Sequence, residues 1–222
     1  MKKLLILAAL LLPSMLAHAG DEDGCGQLKE CLTAPVDATN IASLQRGARL
    51  FTNYCLGCHT AKYVRYERVA DDLGIDHKTM LANMVWTTTK IGDHMISGGR
   101  KDEQAAWFGN APPDLTLETR LRSADWVYTY LLNFYPDAKR PWGVNNRVFK
   151  DVAMPNALET LNIELGDEGF KRAVGDLVNY MAYMAEPIKT KREHIGWWVW
   201  GFLVILFIPV YLLNKEYWKD IH

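Results

Sequence analysis

Cys55-Leu56-Gly57-Cys58-His59 places two thiols three residues apart with an imidazole directly after the second. Two thiols at that spacing can each add to a vinyl group of a haem, and the adjacent histidine can then present a ring nitrogen to the iron. A zinc half-site or a dithiol redox pair would use the same two cysteines. Zinc needs a second ligand pair, and Cys25 and Cys31, with five residues between them in an acidic arm, match it poorly. A thioredoxin-like site needs a βαβ setting, which the helical patterning here lacks. The chemistry to expect is therefore one covalently attached haem.

The far side of the iron needs a second donor. Met80, Met84, Met181 and Met184 fall on apolar helical faces and suit a core, while His77, His94 and Met95 remain as alternatives. Met154 differs, because it sits in the irregular segment Val148-Phe149-Lys150-Asp151-Val152-Ala153-Met154-Pro155-Asn156. The following proline stiffens the backbone and can aim the thioether. His59 and Met154 as the two axial ligands raise the reduction potential and fill both positions, which makes an electron carrier and leaves no site for substrate. Ala111-Pro112-Pro113-Asp114-Leu115 forms a rigid turn, with Arg120 and Arg122 shortly after it. A guanidinium suits a haem propionate, although an Arg pair ahead of a helix is as readily a solvated one.

Four helices are expected to position these groups. Asn40 or Ser43 caps the first, which runs to about Tyr54 and delivers the chain into Cys55. Asp76 caps a second containing Met80, Leu81, Met84 and Val85. Ser123 caps a third, with Val127, Tyr130, Leu131 and Phe134 on one face until Pro136. Asp167 starts a fourth, with Phe170, Val174, Leu177, Val178, Met181 and Met184 inward, ending before Pro187. Segments 86–122 and 136–166 read as long irregular loops wrapped on a large apolar object. The fold class is all-α: a cytochrome c-like haem domain with long loops, plus one C-terminal transmembrane helix.

Both ends of the chain address a membrane. Lys2 and Lys3, the apolar run Leu4 to Leu16 and Ala17-His18-Ala19 form an export signal cleaved after Ala19. Residues 195–213 carry no charge and reach roughly 28 Å as a helix, close to the hydrocarbon thickness. Trp197, Trp198 and Trp200 at one end, with Tyr211, Tyr217 and Trp218 at the other, suit the two interfaces. Lys189, Lys191 and Arg192 precede the span, so the positive-inside rule slightly favours the opposite orientation. The cleaved signal overrides it, placing residues 20–194 outside in the periplasm and a 214–222 tail inside. A net charge of −1 argues against a nucleic-acid surface. The acidic candidates for a basic partner, Asp71, Asp72, Asp102 and Glu103, read no differently from any solvated face.

The order Ser43-Leu-Gln-Arg-Gly-Ala-Arg-Leu-Phe, Cys55-x-x-Cys-His, Ala-Pro-Pro-Asp-Leu, Val144-Asn-Asn-Arg-Val-Phe, Ala-Met-Pro-Asn and a single terminal anchor resembles the cytochrome c1 family in a compact bacterial form. The resemblance covers roughly residues 36–215. It implies haem contact at Cys55, Cys58, His59, Met154 and Pro112, with Arg122 beside a propionate. It also implies an electron-transfer subunit of the quinol–cytochrome c reductase complex, non-catalytic alone. Its partners would be cytochrome b, the Rieske iron–sulfur protein, a cytochrome c acceptor and membrane lipid of the bacterial inner membrane. A membrane-tethered carrier serving a terminal oxidase would share the haem and the anchor. The acidic arm departs from the family pattern, and an oxidising compartment would let Cys25 and Cys31 close a small disulfide loop.

Overall fold

The computed structural model describes residues 24–220, so the export signal lies outside the described residues. Helix α1 (Ile41–Leu50) begins where the Asn40 side chain accepts from the Ser43 amide, as its position in the sequence demands. It widens into a π-helical turn over Phe51–Cys55, and the Cys55 carbonyl then accepts from the amides of both Cys58 and His59. Such a turn inserts an extra residue per cycle and recurs at functional sites. A strand β1 (Ala61–Arg65) and helix α2 (Tyr66–Leu73) follow, ending on Gly74 in the left-handed conformation. Asp76 caps α3 (His77–Asn83), so Met84 and Val85 lie just beyond the helix expected to contain them.

The segment 86–122 is less irregular than its composition indicates. It contains β2 (His94–Met95), paired antiparallel to β1, then α4 (Lys101–Phe108) and the single turn α5 (Glu118–Leu121). Ser123 caps α6 (Ala124–Leu132), which stops earlier than Pro136 because Phe134–Pro136 forms β3 against β4 (Val144–Asn146). The domain is thus largely helical, as expected, with two small two-stranded sheets among the described residues. Pairs this short draw their stability from distant partners, so no periodicity announces them.

Helix α7 (Glu159–Ala185) breaks at Gly166, whose φ of 63° separates a short first stretch from the long segment that starts at Asp167. That long segment packs Val174, Leu177, Val178 and Tyr180 into the core against Leu44 and Ala48 of α1 and Phe51 of the π-helical turn. The two helices approach closely at Gly47, and Arg46 grips Asp176 with two bonds of 2.6 and 2.9 Å across them. Helix α8 (Lys189–Tyr217) contains the uncharged run and buries none of its residues in the domain. Glu186 ties its head to the domain by ion pairs to Arg120 (2.9 Å) and Arg192 (2.5 Å). Among the described residues nothing covers this long apolar helix, which is long and apolar enough to cross a membrane.

The acidic arm does not float. Its amides at Leu32, Ala34 and Asp37 donate to the side chains of Thr129, Asp125 and Asn179, so α6 and α7 supply the acceptors an edge strand would. Cys25 and Cys31 form a disulfide, and the loop they close rests on the Arg147–Val148 backbone, where the Gln27 amide donates to the Arg147 carbonyl. Cys25 is buried in the core. Both thiols are expected to resist alkylation in the native protein until a reductant is added, as peptide mass analysis will read. Removing the bridge should cost about 2–4 kcal/mol of stability.

Candidate haem site

The Cys55–His59 segment is fixed by three neighbouring elements. Gln104 of α4, itself buried, donates to the Cys58 carbonyl at 3.0 Å, and the Ser97 hydroxyl donates to the Gly57 carbonyl at 2.9 Å. The Leu115 amide donates to the Thr60 carbonyl, which brings the Pro112-Pro113 turn against the histidine. His59 is buried, and its Nδ1 lies 2.9 Å from the Pro113 carbonyl oxygen. A carbonyl can only accept, so Nδ1 carries the proton and Nε2 keeps its lone pair. Burial lowers the imidazole's pKa against the opposing pull of the Pro113 carbonyl, which favours the neutral ring a metal requires. Burial likewise pushes the Cys55 thiol up to about 12, the reverse of a reactive dithiol.

His59 opens onto a cleft of two lobes, about 320 and 130 Å³. Cys55 lines the larger and Cys58 the smaller, while His59, Pro113 and Met154 line both. The walls are mainly apolar: Trp126, Val127, Tyr130 and Leu131 from α6, Leu158 before α7, and Met181 within it. Arg122 and Glu118 supply charge at the larger lobe, 3.9 Å apart, with the Arg122 guanidinium 5.1 Å above the Trp126 ring. Burial raises the Glu118 pKa, and Arg122 opposes that shift. Pro112 lines only the smaller lobe, whereas Pro113 makes the histidine contact. Arg120 faces away, toward Glu186.

The Met154 loop is built by two buried asparagines. Asn145 Oδ1 accepts from the Asp151 amide, and its Nδ2 donates to Asp137. Asn146 Oδ1 accepts from the amides of Val148 and Phe149, and its Nδ2 donates to the Tyr130 carbonyl. Arg140 donates to the carbonyls of Asp151 and Val152 from outside. The last link is Tyr130, whose hydroxyl donates to the Met154 sulfur at 3.5 Å. Burial keeps that phenol protonated by raising its pKa.

Of the other candidate donors, Met181 lines the larger lobe, whereas His77, His94 and Met95 lie elsewhere. Met95 is fully buried in the core, where it accepts from the Tyr180 hydroxyl, and His77 is paired with Asp71 on the surface. Neither they nor His94 line the cleft. The roles of Tyr130, Trp126 and the two asparagines left no spacing signal, although the Asn-Asn pair is a polar interruption between apolar residues. Asn146→Ala leaves the Val148 and Phe149 amides without their acceptor, the first of them buried, and should cost about 1–3 kcal/mol, read as a lower denaturation midpoint.

A neutral buried imidazole and a thioether on one apolar cleft, with two thiols in its wall, define a c-type haem electron-transfer domain. The amino-acid sequence matches the Cytochrome C1 family over residues 32–221, nearly the whole chain, and the protein belongs to that family. It is 42% identical to a cytochrome c1 of Allochromatium vinosum, over 100% of both chains. It is also 41% identical to a protein of Nitrosomonas europaea named ammonia monooxygenase gamma subunit, over 100% of this chain and 99% of that one. A cytochrome c1 of Blastochloris viridis is 26% identical over 77% of this chain and 78% of its own. The family's haem fits the donor set: His59 offers a free Nε2, Met154 a sulfur, and the lining is apolar except at Arg122, Glu118 and Asn110.

Proposed function

We propose that Cys55 and Cys58 bind a single haem c through thioether bonds, with His59 and Met154 as its axial ligands and Arg122 beside a propionate. The haem supplies a one-electron iron couple when bound. The chain's residues do the rest. Pro113 holds the His59 ring in one tautomer, Asn145, Asn146 and Arg140 fix the Met154 loop, and α6 screens the cleft from water. Two protein ligands leave no open position, so the group relays electrons and activates no substrate. The observation that carries this reading is the meeting of His59 and Met154 on one apolar cleft, although 94 residues separate them.

The relay works within a quinol–cytochrome c reductase complex, taking electrons from the Rieske iron–sulfur protein and passing them to a cytochrome c. Residues 20–194 lie in the periplasm, and 195–213 cross the inner membrane beside cytochrome b, leaving 214–222 inside. Purification in a gentle detergent, followed by identification of the chains that accompany this one, tests the assignment. Cytochrome b and the Rieske protein are expected. Recovery instead with a terminal oxidase would make this chain a tethered carrier. Recovery with the other chains of a monooxygenase would make it a subunit of the kind that the name of the Nitrosomonas relative describes.

A further inference from the structure

We propose that Tyr130 is a positioning residue that raises the electron affinity of the site by donating a hydrogen bond to the Met154 thioether. This rests on Met154 being an axial ligand. A thioether sulfur has two lone pairs, one for the metal and one able to accept a weak hydrogen bond. The Tyr130 hydroxyl lies 3.5 Å from that sulfur. Withdrawing density from the sulfur makes it a poorer donor to the more positive, oxidised iron than to the reduced one. The reduced state is thereby favoured, and the potential rises.

The tyrosine is held in place for this from several sides. Its ring stacks on Trp126 at 5.2 Å with an interplanar angle of 7°, and meets Phe134 edge-on at 5.2 Å. Its backbone carbonyl accepts from Asn146, the residue that also gathers the amides of Val148 and Phe149. One residue therefore touches the ligand loop at its base through the backbone and near its tip through the side chain. The chain also contains a matched contact away from the cleft: the Tyr180 hydroxyl donates to the Met95 sulfur at 3.6 Å, with both residues fully buried in the core. The two pairs have the same chemistry, and only Tyr130–Met154 lines the cleft.

The haem-loaded complex carrying Tyr130→Phe keeps the ring and loses only the donor. Redox titration should find the one-electron equilibrium shifted about threefold to tenfold toward the oxidised form, tenfold being about 59 mV. The sulfur-to-iron charge-transfer band should persist. Tyr180→Phe should leave the potential where it was. An unchanged potential in Tyr130→Phe with the band intact would overturn the proposal, and so would loss of the band, which would make the hydroxyl a structural prop. An equal shift in Tyr180→Phe would overturn it too. A Met154→Leu protein separates the premise from the inference: if its band survives, Met154 is not the ligand. If the band is lost there while Tyr130→Phe titrates like the parent, only the role of Tyr130 fails.

Discussion

Met154→Leu is expected to retain its haem and lose its function. Cys55 and Cys58 lie in a segment fixed by hydrogen bonds from Gln104, Ser97 and Leu115 that do not involve the Met154 loop, so attachment should survive. Leucine fills the space of methionine without a lone pair, and repacking should cost under about 1.5 kcal/mol. The effect therefore falls on ligation and leaves the fold in place. Losing the thioether should lower the potential by several tenfold steps of the one-electron equilibrium, each about 59 mV. Axial ligation spans about 0.8 V, so a drop of that size is well within its range. The opened position should bind carbon monoxide in the reduced protein at neutral pH, which the parent should not do. A Leu variant with the parent's potential and no carbon monoxide binding would assign the ligand to another residue.

Gly47→Ala is expected to destabilise the fold, against its effect on helix propensity. In a solvated helix this change would stabilise, because alanine exceeds glycine in helix propensity by about 1 kcal/mol. Here an added Cβ would stand 2.1 Å from the Asp176 carbonyl oxygen and 2.6 Å from the Tyr180 Cβ. The first obstacle is backbone, so α1 and α7 must separate. Separation would loosen the Phe51–Tyr180 ring contact, centroids 5.6 Å apart, and the Arg46–Asp176 pair. Overpacking of this kind costs about 1–3 kcal/mol or more, which outweighs the propensity gain. The thermal midpoint of the haem-loaded protein should fall. Gly98→Ala, whose Cβ would find only the Thr87 methyl at an ordinary 3.7 Å, should not lower it. Equal or greater stability in Gly47→Ala would show that the helices can part without cost. Since α1 leads directly into the Cys55 turn, the same variant should load haem less completely.

The caps at Asn40, Asp76 and Ser123 were legible because an N-cap is a contact between residues three apart. The Asp167 start coincides with a break in the backbone at Gly166, immediately before it. The strands at 61–65 and 134–136 were not legible, because each exists only through a partner strand elsewhere in the chain, at 94–95 and 144–146. Met95 illustrates the same limit. As a letter it competed with Met154 for the iron, and only its burial beneath Tyr180 removes it from the cleft.

The amino-acid sequence alone determined the Cys55-x-x-Cys-His segment, the long apolar C-terminal helix, the principal helices and the family, since each is written in adjacent residues or in a local period. Tertiary structure alone decided that the Pro113 carbonyl sets the His59 tautomer and that Asn145 and Asn146 shape the Met154 loop. It also placed Tyr130 on the Met154 sulfur and the Cys25–Cys31 loop against Val148. These contacts join segments with no common period, and their energies depend on distances that exist only once the chain has closed on itself.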